Sequence, residues 1–386
     1  MLATTFENSS SAVSTQQQLL PLVQLALRGL PAMLYQDRQL FCYRLQQTAD
    51  GLVKEGVSPR YTIMTLLGLH RAQLAGLESP VDCDGIFDGL TRNLDWIDNA
   101  GDLGLLLWVG ALQCPDRLGE VIARADLGHV LTRYPDVQGR YTMELAWVLA
   151  GLSHVKLAGA AGSDQWARLA ERTFGLLKEN QGNSGAFGHL APGWAGVGPL
   201  RGHLGSFADQ VYPIYACSKY AAAYGSEEAL RAAQACAEVI CREQGPLGQW
   251  WWHYEARTGR AVGKYPVYSV HQDGMGPLAL FALAEASGAD FDEPIYRGLR
   301  WIWGENELGV NLCDDQDAVI WRCLRPAPCR KYSSQMLALL HIPSSPGPLH
   351  VLYESRPYHL GWLLYAFAGR GNARVTNSAL QMAEHS

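Results

Sequence analysis

The sequence lacks the marks of several large protein classes. Its nine cysteines include no C-x-x-C pair, and it has no H-E-x-x-H or equivalent ligand spacing and no Walker or dinucleotide-binding glycine pattern. An odd number of scattered thiols reads as reduced and mostly buried, so no disulfide framework, metal site or cofactor is expected. The first residues have neither the basic start nor the apolar core of a secretory signal, and no apolar run reaches the ~18 residues of a membrane span. A cytoplasmic location is the resulting expectation. Basic charge is also scarce. With 31 Lys and Arg against 37 Asp and Glu, the formal charge of -6 gives no footprint for nucleic acid. Strand-like alternation is rare outside short pieces such as Arg260 to Val267.

What is present is helix-forming apolar material, 48% of 386 residues and ample for a large core. Residues 1–15 are polar and expected to be frayed, residues 373–386 form a tail, and 16–372 reads as one domain. From Gln16 onward apolar residues recur at three- and four-residue steps. Six segments open on a polar or aromatic cluster and continue as Ala-, Leu- and Gly-rich runs, beginning near Arg60, Gly101, Arg140, Phe207, Tyr268 and Arg356. Charged amphipathic helices lie between them, so helices buried all round alternate with helices buried on one face. That alternation predicts an all-α fold, an α/α toroid built as a barrel of about six helical hairpins. An open α-solenoid is the alternative, disfavoured because its loops are normally short. In a toroid the loops entering inner helices emerge at one end. The long ones here cover 181–206, 244–267 and 304–355.

Two outer helices end in one signature, Gln181-x-x-x-Gly185-x-Phe187 and Gln244-x-x-x-Gly248-x-Trp250. It resembles the QW-type repeat of terpenoid cyclases and protein prenyltransferases, in which Gln caps a helix end and the ring packs on the next hairpin. The resemblance covers roughly Arg60 to Gly369 and implies the toroid. It does not imply the cyclase activity: the acidic run Asp314, Asp315, Asp317 departs from the Asp-x-Asp-Asp acid motif, and no prenyltransferase zinc set can be placed. The same toroid looks like that of six-hairpin glycosidases, sugar epimerases and polysaccharide lyases, families that set aromatic platforms, His, Tyr, Arg and carboxylates at the mouth.

The candidate chemistry centres on Tyr265 to Asp273. If Tyr268 opens an inner helix, His271 shares its face one turn on and Asp273 lies further round. His271 can serve as base and Tyr268 as acid; the bland reading is a cap plus a structural His–Asp bond. Trp250, Trp251 and Trp252, followed by His253 and Tyr254, can form a sugar-stacking or cation-lining wall, with at least one Trp expected in the core. Asp209 and Tyr212 start the fourth inner segment after a Gly-rich loop carrying His189, Trp194, Arg201 and His203, and Asp209 can equally be a helix cap. Arg322, with Arg325 and Arg330, suits an anion. Tyr358 and His359 head the last inner segment, across the ring from Tyr268 and His271. The repeated tripeptides Arg60-Tyr61-Thr62 and Arg140-Tyr141-Thr142 read as structural.

The expected function is a carbohydrate-active enzyme of lyase, epimerase or hydrolase type, acting on an anionic sugar or polysaccharide intermediate. Its partner is a small molecule or glycan. Hydrolysis needs two opposed carboxylates, for which Asp209 and Asp273 are the pair in view. The alternative is a terpenoid cyclase or prenyl-group enzyme with Asp273 or Asp315 supplying the proton; a non-catalytic toroid binding a protein partner is the third reading.

Overall fold

The computed structural model describes residues 18–124, 141–159, 166–190, 202–327 and 347–370. The 1–15 and 373–386 segments, Trp194, Arg201 and Arg330 lie outside the described residues. In chain order the helices are α1 (Leu19–Met33), α2 (Pro59–Leu74), α3 (Cys83–Arg92), α4 (Ala100–Gln113), α5 (Leu118–Arg124), α6 (Thr142–Leu157), α7 (Ala167–Glu179), α8 (Ala208–Tyr224), α9 (Glu227–Arg242), α10 (Gly276–Ser287), α11 (Asp292–Ile302) and α12 (Pro357–Phe367). The chain is mostly helical.

The even-numbered helices form the centre. α2, α4, α6, α8, α10 and α12 are buried around most of their circumference, as in the unbroken run Leu103 to Ala111 of α4. Each packs on the next, and α12 packs back on α2, closing a cycle. Helices α1, α3, α7 and α9 lie outside, against α12, α2, α6 and α8 respectively. Close approach depends on glycine. A Cβ at Gly68 of α2 would lie 2.0 Å from the Gly361 carbonyl of α12, and one at Gly151 of α6 would lie 2.2 Å from the Gly104 carbonyl of α4. The backbones touch because nothing projects between them. Helix starts follow capping chemistry: Ser58 Oγ accepts from the Tyr61 N–H at 3.2 Å, and Asn99 Oδ1 from the Asp102 N–H at 3.1 Å.

The two glutamine signatures perform the same task. Gln181 Nε2 donates to the Gly185 carbonyl at 2.8 Å and to the Ala232 carbonyl of α9 at 2.9 Å. Gln244 Nε2 donates to the Gly248 carbonyl and to the Pro294 carbonyl of α11, each at 2.8 Å. Gly185 and Gly248 hold φ of 97° and 88°, in the left-handed region, and face the backbone of the next outer helix. The following rings, Phe187 and Trp250, are wholly buried. Their N–H groups donate to Gln210 Oε1 at 2.8 Å and Gln272 Oε1 at 2.9 Å. Each signature therefore ties its loop to the next outer helix and to the next inner one.

The expected helical fold holds for the body of the chain, but short strands, not foreseen in the all-α reading, organise the loops. They are β1 (Leu34–Tyr35), β2 (Leu40–Thr48), β3 (Gly51–Val57), β4 (Leu204–Ser206), β5 (His253–Glu255), β6 (Ala261–Gly263), β7 (Val267–Tyr268), β8 (Cys313–Asp314), β9 (Val319–Ile320), β10 (Cys323–Pro326), β11 (Leu349–Leu352) and β12 (Glu354–Ser355). The antiparallel β2–β3 hairpin turns through Ala49 and Asp50, with Thr48 paired to Gly51. β12 pairs with β2, setting Glu354 opposite Gln46. β10 pairs with β7 and β11, setting Cys323 opposite Tyr268. Tyr268 thus ends a strand and does not open a helix. β8 and β9 form a hairpin against α1, where Asp315 is 83% exposed and pairs with Arg28. Asp315 lies on the surface. No helix among the described residues is long and apolar enough to cross a membrane.

Candidate active site

The strand pairings bring arginines and tyrosines together at the N-terminal ends of α2 and α12. Arg322, directly before β10, sits over the Tyr268 ring at 5.0 Å. Its Nη1 reaches Glu354 Oε1 at 3.0 Å. Arg356 Nε donates to the same oxygen at 2.5 Å, and Arg44 Nη1 reaches Glu354 Oε2 at 3.2 Å while pairing with Glu55. Three guanidinium groups meet two carboxylates, so one positive charge is in excess. Burial pushes the Glu354 carboxyl up, but Arg322, Arg356 and Arg44 outweigh it and hold the group below its ordinary range. Arg356 Nη1 donates to the Tyr61 hydroxyl at 2.7 Å. The Tyr61 ring packs on Tyr358 at 4.4 Å and on Tyr43 at 5.5 Å. Tyr268 and Tyr358 are raised by burial against the opposing effect of Arg322, so both phenols are neutral near pH 7.

Beside this cluster, His271 begins a π-type turn, His271–Met275, that opens α10; the Gly276 N–H bonds to the His271 carbonyl. Such turns recur at functional sites. The imidazole stacks on Trp252 at 5.8 Å and 10°, and lies 5.2 Å from the Tyr268 ring and 4.6 Å from Phe207. Its Nδ1 is enclosed with no hydrogen-bond partner, an arrangement a purely structural histidine would avoid. Burial, then the charge of Arg322, then His359 and His253, hold it well below the usual histidine range. His271 is a neutral imidazole at pH 7.

The other candidates fall elsewhere. Asp273 is fully buried and both its oxygens accept from His359 Nε2, at 2.7 and 2.8 Å. This pair joins the turn before α10 to α12, and burial raises the Asp273 carboxyl despite the imidazole. Asp273 and His359 are thus a buried hydrogen-bonded pair, and Asp273 is not an exposed partner for Asp209. Trp250, Trp251 and Tyr254 are core residues: Trp250 packs on Phe207, Trp251 packs on Tyr265 under Lys264, and the Tyr254 hydroxyl accepts from the Trp251 N–H. These three are corrections to the aromatic wall. Only Trp252 of the run turns toward His271 and Tyr268, with ring centroids 4.6 Å from Tyr268. His253 lies on β5, half-buried against Trp252. His203 is 3.6 Å from Glu255.

Asp209, in the first turn of α8, accepts through Oδ2 from Ser206 N–H and Oγ and from His189 Nδ1, while its Oδ1 is buried without a partner. Tyr212, one turn on, accepts from Trp362 Nε1 at 3.0 Å and packs on Trp147. Arg60 binds Asp102 at 2.6 Å and lies over Trp147, so that copy of the Arg-Tyr-Thr tripeptide joins two inner helices as well as supplying Tyr61 to the cluster. The sequence does not single out Glu354 or Arg44, marks Arg356 only as the start of the last inner segment, and reads Tyr61 as structural. Tyr61 and Arg356 carried a usable signal, since each heads an inner segment as Tyr358 does. Among the described residues no three His, Cys, Asp or Glu side chains converge as a metal would require.

No protein-family model and no curated protein matches this chain. Solved structures do resemble it in fold. An unsaturated glucuronyl hydrolase specific for heparin aligns with TM-score 0.60 and 11% identity, over 94% of this chain and 98% of its own. The unsaturated glucuronyl hydrolase of Bacillus sp. GL1, responsible for glycosaminoglycan degradation, gives 0.59 and 14% over 93% and 97%. A polysaccharide lyase gives 0.52 and 11% over 81% and 91%. The resemblance to six-hairpin carbohydrate-active enzymes is thus met by solved structures of that kind.

Proposed function

We propose that the closed cycle of inner helices is an α/α toroid, and that its mouth binds an acidic sugar for proton-transfer chemistry of the lyase or epimerase type. The observation that carries this reading is the excess positive charge of the Arg322, Arg356 and Arg44 group beside three tyrosines and a neutral His271. The fold neighbours support the substrate class, since their names specify glucuronyl, heparin and glycosaminoglycan substrates, which are anionic glycans.

In this reading Arg322 receives the carboxylate of a uronate ring. A guanidinium there stabilises the negative charge that spreads onto the carboxylate when the neighbouring C–H is deprotonated. His271, neutral and unprotonated, takes that proton, and the electron pair moves into the carboxylate as an enolate. For elimination the pair returns to form a C=C bond as the glycosidic C–O bond breaks, and the Tyr268 hydroxyl donates its proton to the leaving oxygen. For epimerisation Tyr268 returns a proton to the opposite face. Trp252 offers a ring for the C–H face of the sugar. The hydrolytic variant loses its anticipated carboxylate pair, because Asp273 is enclosed on His359.

Binding itself improves the base. The charge of Arg322 is the second cause of the low His271 proton affinity, and a substrate carboxylate offsets it. The test is product analysis of uronate-containing oligosaccharides incubated in D2O. A new unsaturated uronate, or deuterium at the carbon next to the carboxylate, is expected for wild type and is expected to fall by about 100-fold or more in His271→Ala, the scale of losing a general base. New reducing ends with neither change would assign hydrolysis instead.

A further inference from the structure

The C-terminal ends of the inner helices line a cavity, away from the N-terminal ends that carry the arginine–tyrosine cluster. Its volume is about 90 Å3, and its polar lining includes Arg71 of α2, His154 of α6, Tyr215 and Lys219 of α8, Glu285 of α10 and Tyr365 of α12, with Arg370 just beyond α12. Lys219 and Arg370 share the one carboxylate, with Nζ 3.1 Å from Glu285 Oε2 and Nη2 2.6 Å from Oε1. Arg71 has no carboxylate partner among the described residues; its guanidinium lies over the Tyr365 ring at 5.3 Å. Three cations therefore surround the cavity with one counter-charge, an excess of two.

Hydroxyl and imidazole groups complete the lining. His154 Nε2 is 2.8 Å from the Tyr215 hydroxyl, which is 2.5 Å from the Tyr365 hydroxyl. Trp108 stacks on both His154 and Tyr215 and fixes them. The space suits several waters or a single tetrahedral oxyanion. Arg71, with no carboxylate partner among the described residues, the Lys219 ammonium and, when His154 Nε2 carries the proton, one phenol hydroxyl are donors suited to such an ion.

We propose that this cavity binds a small divalent oxyanion, sulfate or inorganic phosphate, held chiefly by Arg71 and Lys219. The competing role for these cations is to offset the carbonyl ends of the helices they terminate. That role requires neither a cavity nor an excess of two charges around it, and it predicts no ligand.

The test is isothermal titration of the full chain with sodium sulfate and, separately, sodium phosphate, in chloride buffer held at constant ionic strength. Saturable one-site binding of at least one anion is expected, and the two titrations identify which. Arg71→Gln should weaken it about tenfold or more, Arg71→Lys should restore part, and Arg322→Met should leave it unchanged, which separates this cavity from the mouth. Lys219→Met serves as the second variant if Arg71→Gln does not fold in chloride alone. No saturable binding by wild type would overturn the proposal. So would binding lost in Arg322→Met but kept in Arg71→Gln, or an Arg71→Gln protein that melts lower yet binds the anion equally well.

Discussion

At the scale of single residues the account turns on which polar side chains are committed to the fold and which are not. Asp273 and His359 satisfy each other in the interior, whereas His271 is buried, stacked on Trp252 and lacks a partner for Nδ1. A bound carboxylate at Arg322 should therefore raise the proton affinity of His271, and NMR titration of its imidazole with and without glucuronate is expected to move upward on binding. An unchanged titration would separate Arg322 from the sugar. Tyr268, His271 and Tyr358 stand out in the sequence because each lies at or near the entry to an inner segment, and Arg322 because it falls with Arg325 in the long loop before the last one. The tryptophan run could not be resolved in the same way. It lies in an irregular loop with no side-chain period, where the Trp250 N–H bonds to Gln272 while the Trp252 ring packs against His271. Glu354 was invisible because its partners Arg44, Arg322 and Arg356 come together only through strand pairing.

At the scale of elements, the glutamine signatures fasten the starts of two long loops to the neighbouring helix. Each Gln side chain satisfies two backbone carbonyls, one in its own turn and one in the following outer helix. Gln244→Ala is expected to cost about 1–3 kcal/mol by leaving carbonyls without donors, read as a lower urea midpoint with an unchanged slope. Loss of less than a few tenths would mean the turn holds without it. The signature was legible because Gln, Gly and an aromatic recur at fixed spacing. The β2–β3 hairpin was not, because Phe41 and Cys42 are both buried and break the alternation that marks a strand. Strands of two to four residues elsewhere are too short to show a period at all.

At the scale of the whole molecule, the packing of α12 on α2 through Gly68 and Gly361 closes the cycle of inner helices, and cationic side chains gather at both of its ends. Stability should depend on pH through its buried histidines. His154 and His271 are both depressed chiefly by burial, so the folded state resists binding their protons. Their contribution is complete above the ordinary value of 6.5 and is lost as pH falls toward the folded values. Each removes stability progressively over that range. Melting temperature is expected to fall from pH 6.5 to 5, less steeply in His271→Gln, with Glu354 adding a further loss below its ordinary 4.5. A flat profile would mean the imidazoles are hydrated in the fold. The most direct test of the central claim is calorimetric binding of a glucuronate-containing disaccharide against its neutral glucose counterpart, in wild type, Arg322→Met and Arg322→Lys. The account predicts that only the acidic sugar binds, that Arg322→Met weakens it about tenfold or more, and that Arg322→Lys recovers part of the loss. Equal binding of both sugars, or binding of a prenyl diphosphate in place of either, would contradict it.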